Sequence, residues 1–404
     1  MFPLGVFQWM RPSGVIWTQS FQTTSAGNLG TLSSYGSKAL TLTRASAATV
    51  QTSASTIDTT PGVDQARVGN VGAAWDNGLL VEGSISNSFT QSNGSNWTTN
   101  GTATKTTGFA TGPDGTLSGC RCQKTAAGTG YVQLNSVTTS TSNRVSYWIK
   151  STSGNTAWQQ TEQLSGTALQ AEAYSITNSW ARYTVSVSNP TVGFGPLVAD
   201  GNNRTTSGGV DYSTTALDAL VAYAQWEPAN KFPTSAIVTT GASATRSPDL
   251  LASNIVPADS GDLGLEIYLV VLGALTDYPA DPMIFYFNAN VYASFSASTT
   301  KLTIGLSTGS VTSASGVTLN PGDVLNLFIR WTPTTGGTRA DYRRSTDGGL
   351  SWSAATSLIS GATAAASFPS SNVQILNSAS GQNFSGYLLE ATAYAKGVSP
   401  FWVT

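Results

Sequence analysis

Short runs in which apolar and polar residues alternate with period two recur along the whole chain, and they constrain its fold more than any other feature. Val145-Ser146-Tyr147-Trp148-Ile149-Lys150 and Arg182-Tyr183-Thr184-Val185-Ser186-Val187 are examples. Side chains of a strand alternate between two faces, so such runs describe half-buried strands. Turn formers separate them: Asp76-Asn77-Gly78, Pro113-Asp114-Gly115, Asp200-Gly201 and Pro321-Gly322-Asp323. Many short strands at this spacing predict an all-β chain of antiparallel sandwiches, with no helix longer than about three turns. Thr215 to Gln225 (TALDALVAYAQ) has the Ala and Leu content of a helix. Its alternation of Leu220, Ala222 and Ala224 against Val221, Tyr223 and Gln225 favours a strand.

Charged residues make up only 10% of the 404, against a typical value of about 25%. A disordered chain with so few charges would lack large apolar residues, whereas this one has 11 Trp, 14 Tyr and 14 Phe. A net charge of −2 with scattered basic residues argues against binding a nucleic-acid backbone. The one local basic cluster, Arg339, Arg343 and Arg344, reads as the solvated face of a strand. Histidine is absent, which removes the commonest general base and the commonest metal ligand together. Cys120 and Cys122 flank Arg121 and would share one face of a strand, a poor geometry for a mutual disulfide, so both are expected as unpaired, packed thiols. No secretory signal opens the chain and no run reaches the roughly 20 apolar residues of a membrane span. The chain is therefore expected to be made in the cytoplasm.

Three regions are expected. Residues 1–78 form an irregular N-terminal attachment region, with Phe2, Phe7, Trp9 and Trp17 as an apolar patch that needs a partner to cover it. Residues 79–247 form a first sandwich of jelly-roll type. Residues 248–404 form a second, similar in style to concanavalin or laminin-G sandwiches.

Several segments, in order, resemble phage virion proteins. Leu42 to Thr49 (LTRASAAT) is similar to an FTRASSAT segment of those proteins, and Gly78-Leu79-Leu80-Val81-Glu82 matches the GLLVE that follows it. The series continues through Asn87-Ser88-Phe89, Asn96-Trp97-Thr98, Pro113 to Thr116, and Asn178 to Tyr183. It closes with Ala224-Gln225-Trp226-Glu227, Pro233-Thr234-Ser235 and Thr245-Arg246. It spans roughly residues 40–250, and the family usually has Leu where Trp226 stands. The resemblance implies a head-spike, head-fibre or tail-fibre component whose middle domain looks like a jelly-roll carbohydrate-binding module. It also implies other virion proteins and host-surface polysaccharide as partners, a homo-oligomer on the virion surface, and no membrane insertion.

Carbohydrate recognition needs flat apolar faces beside amide or carboxylate groups. Trp158, Trp148 and Tyr131, beside Gln160 and Glu162, supply these groups in the middle region, and core packing is the competing role for each aromatic. Glycoside hydrolysis needs two facing carboxylates; with only six Glu and most Asp beside Gly or Pro, no pair stands out, and a non-enzymatic protein is expected. No cofactor is expected; Asp259-Ser260-Gly261-Asp262 is the one stretch with oxygen ligands for a structural calcium, and a plain turn explains it better. Ser345 to Trp352 (STDGGLSW) fits the Asp-box of sialidases and reads as a structural hairpin. A glycan-binding virion protein is the leading expectation, with a structural decoration or cement protein and a polysaccharide depolymerase as rivals.

Overall fold

The structure, a computed structural model, describes residues 15–21, 26–30, 40–71, 77–124, 130–133, 143–152, 156–164, 169–187, 190–195, 217–253, 263–306, 309–331, 338–362, 373–378, 383–394, 399–400 and 402–403. Their regular structure is antiparallel strand apart from one 3-10 turn, Leu275–Asp277. The ambiguous segment is strand, Leu217–Pro228, as its alternation predicts. The chain divides into two compact units, one of Met1–Ala47, Pro61–Ser84 and Ser247–Thr404, the other of Ala48–Thr60 and Ile85–Arg246.

The expectation that residues 1–78 are irregular is corrected. Val15–Ser20 pairs with Gly386–Tyr394, Gly27–Gly30 with Ala66–Asn70, and Leu40–Thr43 with Leu250–Ser253. Ala48–Thr60 belongs to the second unit. Each strand's unpaired N–H and C=O groups are satisfied by partners as much as several hundred residues away, which local alternation does not encode. Phe2, Phe7 and Trp9 lie outside the described residues. Trp17 is in register with Ala393, and its side chain is outside them as well.

In the first unit a nine-stranded and a seven-stranded sheet carry the core. Leu265, Ile267 and Leu269 of Leu263–Val271 stand opposite Ile329, Leu327 and Leu325 of Val324–Trp331, all buried. Trp331 meets Phe285 and Phe287 of the other sheet edge-to-face, centroids 5.9 and 5.5 Å apart. One end of this unit is held by a buried ion network. Asp249 accepts from Arg44 Nη1 at 2.8 Å, from Arg67 Nη2, and from the backbone N–H of Glu82 at 2.9 Å, while Arg67 Nη1 donates to Glu82 at 2.9 Å. Arg44 also donates to the carbonyls of Ser46, Gly62 and Gln65. All four side chains in the network are fully buried.

The second unit is built on a five-stranded sheet in which Leu217–Pro228 lies between Gly119–Lys124 and Asn143–Ser151. Cys120, Cys122, Val145, Tyr147, Ile149 and Trp226 fill one face together with Phe89 and Trp97. Both cysteines are free and buried, as expected. Trp226 packs edge-to-face on Phe89 at 5.8 Å. Asn87 uses its side chain fully here, donating to the carbonyls of Ala224 and Ile237 and accepting from the N–H groups of Phe89 and Trp226. Glu227 accepts from Thr234 N–H and Oγ1 and from Asn230 Nδ2, and Arg246 donates to Ser235 Oγ at 2.6 Å. The residues that carry the sequence resemblance (Arg44, Glu82, Asn87, Glu227, Thr234 and Arg246) thus build the buried polar hubs of the two units.

The Asp-box forms the hairpin between Thr338–Ser345 and Thr356–Ala362. Asp347 accepts from Ser345 Oγ at 2.6 Å, Ser351 N–H at 2.9 Å and Ser351 Oγ, and these bonds hold its carboxyl far below the usual range. Gly348 and Gly349 take φ of 70° and 94°, which glycine alone adopts freely. Arg343 departs from the expected solvated face. Its guanidinium lies 4.5 Å from the Trp352 ring and 5.0 Å from Trp402, and it donates to Tyr268 Oη at 3.0 Å.

On the same sheet face Glu266 is buried, accepting from Trp402 Nε1 at 2.8 Å and from Tyr394 Oη. Burial pushes its carboxyl above the usual range despite those bonds. A raised folded-state pKa means ionisation works against the fold. The stability linked to Glu266 is therefore complete below the unfolded pKa and is lost as pH rises through the folded one. Glu266→Gln is expected to flatten this dependence, so that its denaturation midpoint gains on the unmodified chain as pH rises from about 4 to 8. Parallel pH curves would refute the assignment.

Candidate ligand-binding face

The strand Gly119–Lys124 (GCRCQK) alternates strictly: Cys120 and Cys122 enter the core, so Arg121 and Gln123 point to the opposite face. The neighbouring strand places Asp218 directly across from Gln123 and Leu220 across from Arg121. Asp218 therefore sits opposite the amide and diagonal to the guanidinium, within reach of both. Arg121 Nε donates to Asp218 Oδ1 at 2.9 Å and Nη2 to Oδ2, a two-pronged pair, and Gln123 Nε2 donates to Oδ2 at 3.1 Å. Both partners of the pair keep 27% of their side-chain surface open to solvent. Burial opposes the charge on Asp218, but the Arg121 hydrogen bonds and charge prevail and hold the carboxyl below its usual range.

Phe109 is 47% exposed, and the Arg121 guanidinium lies 4.7 Å from its ring centre. Across the same row Lys150 stands opposite Leu220, its ammonium 5.3 Å from the Trp180 ring. Thr152 donates to the Asp218 carbonyl. The face thus presents a carboxylate, an amide, a guanidinium and an ammonium in fixed positions beside an open aromatic ring. Chemically, this set offers hydrogen-bonding groups to a ligand with several hydroxyls and an aromatic surface to an apolar C–H side.

Trp148 is corrected as a binding residue. It lies on this sheet face, but it is 1% exposed, enclosed by Ile57, Trp180, Leu220, Ala222, Tyr223 and Ala236. Ile57 comes from the hairpin Val50–Ser53/Thr56–Asp58, which belongs to this unit. Trp158, Gln160 and Glu162 share the strand Thr156–Leu164, in register with Tyr174, Glu172 and Gln170 of Leu169–Ile176. That strand belongs to a separate three-stranded sheet. Tyr131 lies in Gly130–Gln133, opposite Asn100 in a two-stranded sheet. The side chains of these four are outside the described residues, as is the stretch Asp259 to Asp262. Of the five, only Trp148 shares a sheet with the array around Asp218. Arg121 and Gln123 were readable from their alternation with the cysteines; Asp218, 97 residues away in sequence, carried no local signal.

No family model matches the chain, and neither does any curated protein. Among solved structures it is similar to the N-terminal CBM22-1-CBM22-2 tandem domain of Xyn10C from Paenibacillus barcinonensis. That likeness has 13% identity and a TM-score of 0.25 over 80% of this chain and 100% of the other.

Proposed function

We propose that the chain is a non-catalytic surface protein of a bacteriophage particle that adheres to host-surface carbohydrate. One observation carries the carbohydrate reading: the open array of Asp218, Arg121 and Gln123 beside the exposed Phe109 ring. Sugar hydroxyls engage such planar donor and acceptor groups in pairs, and the C–H face of the ring covers an aromatic side chain. The virion reading is supported by the ordered series of segments from Leu42 to Arg246 that resemble head-spike, head-fibre and tail-fibre proteins. In this reading the chain is a homo-oligomer, made in the host cytoplasm, with capsid or tail proteins as partners. A purely structural decoration protein is the second reading. One observation favours it: Arg44, Glu82, Glu227 and Arg246 of the resembling segments are all buried.

A glycan array on the full chain separates the two, since saturable binding to a defined polysaccharide supports adhesion. Asp218→Ala should then weaken that binding by at least about tenfold, roughly 1.4 kcal/mol. As a partly exposed change that breaks the two-pronged pair with Arg121, it should cost the second unit about 1 kcal/mol, too little to unfold it. Unchanged affinity would remove this face from the binding site. If Trp158→Ala abolishes binding instead, the site lies on the three-stranded sheet. Release of reducing ends from host polysaccharide would replace adhesion by depolymerisation.

A further inference from the structure

Further along the same central strand of the second unit, Tyr223 adopts a φ of 51°, an outlier for an aromatic residue. The cause is a bulge: Ser146 pairs with Gln225 and Trp148 with Ala222, so Tyr223 and Ala224 together face Tyr147. The bulge re-aims Tyr223 onto the wall of an open cavity of about 240 Å³. Ser92, Asn93, Thr116 and Ser118 supply the rest of its polar lining. Leu117 and Val238 form the apolar lining and are 69% and 44% exposed.

The polar wall has a direction. Asp114 stands behind it and accepts from Ser118 Oγ at 2.7 Å, from Thr116 Oγ1 and from Thr116 N–H at 3.2 Å. Two hydroxyl protons are thereby committed to the carboxylate, so those two oxygens have only lone pairs left to offer a ligand. Among the described residues no Lys or Arg forms an ion pair with Asp114. The Thr116 and Ser118 side of the wall is accordingly an acceptor surface backed by the negative charge of Asp114, and an ammonium group complements it. A neutral ring hydroxyl would satisfy one acceptor but leave the charge unmatched.

We infer that this cavity takes a single amine-bearing sugar ring, its ammonium against Thr116, Ser118 and Tyr223 and its C–H face against Leu117 and Val238. This rests on the carbohydrate reading above and narrows the ligand to glycans with free amino groups. The volume is below the roughly 300–1,000 Å³ of sites for larger ligands, in keeping with one ring.

The test is titration calorimetry of the full chain with fully deacetylated chitotetraose and with its N-acetylated counterpart, at mildly acidic pH where the amine is protonated. The hydrogen bonds to Asp114 keep its carboxyl ionised there. The deacetylated oligomer should bind at least tenfold more tightly, and Asp114→Asn should erase that preference. Because Asp114 also orders its own turn, Leu117→Ala serves as a second variant. Its side chain is mostly in solvent, so folding is untouched while affinity for the deacetylated oligomer should fall several-fold. Equal affinity for the two oligomers overturns the inference, and so does a preference that survives Asp114→Asn in a protein with an unchanged melting curve. If a neutral polysaccharide binds in an Asp218-dependent manner while the amine gives no advantage, only this inference fails. If no glycan of either kind binds, the carbohydrate reading fails with it.

Discussion

Asp249→Ala is expected to destabilise the first unit by about 3–5 kcal/mol, a large part of the roughly 5–15 kcal/mol that holds a domain folded. Asp249 bridges Arg44, Arg67 and the Glu82 backbone N–H, and the side chains of all three charged partners, Arg44, Arg67 and Asp249, are fully buried. Removing it takes from the two fully buried guanidiniums the carboxylate they share. Stranded charge of this kind costs far more than the lost attraction. The contrast with Arg67→Met combined with Glu82→Leu is informative. That pair removes one charge of each sign and leaves Arg44 bonded to Asp249, so the loss should be much smaller than for Asp249→Ala. Urea denaturation followed by tryptophan fluorescence measures both. A single replacement that melts like the unmodified chain would show that the network contributes little.

Trp148→Ala is expected to cost about 3–5 kcal/mol in the second unit, the range for truncating a buried Trp. The ring is enclosed on the same sheet face that carries the array around Asp218, so binding and stability are separable there. Among molecules that remain folded, Trp148→Ala should bind glycan with near-normal affinity, whereas Asp218→Ala should fold normally and bind poorly. A Trp148→Ala protein that is fully stable yet unable to bind would return that tryptophan to the ligand site.

Strand content was legible in the residues because alternation is local. Val145 to Lys150, Arg182 to Val187 and the doubtful Leu217–Pro228 all occupy the state their pattern indicates. The unpaired cysteines followed from the same geometry, and so did the outward direction of Arg121 and Gln123. The Asp-box hairpin was readable too, since Asp347, the two glycines and both serines act within seven residues.

Pairing was not legible, because a strand's partner is chosen by burial over the whole unit and its edge is chemically uniform. Leu40–Thr43 gives no sign that it will pair with Leu250–Ser253, nor Val15–Ser20 that it will complete a sheet with Gly386–Tyr394. The aromatics raised the same difficulty in another form. Trp148 has the composition of a sugar platform, and segments distant in sequence, the hairpin carrying Ile57 and the residues Leu220 and Ala236 among them, decide that it is core. Sequence by itself determined which residues are strands, which face each side chain takes, and which bonds close within a turn. Tertiary structure alone decided which faces stay open, because covering a face depends on segments brought together across the chain.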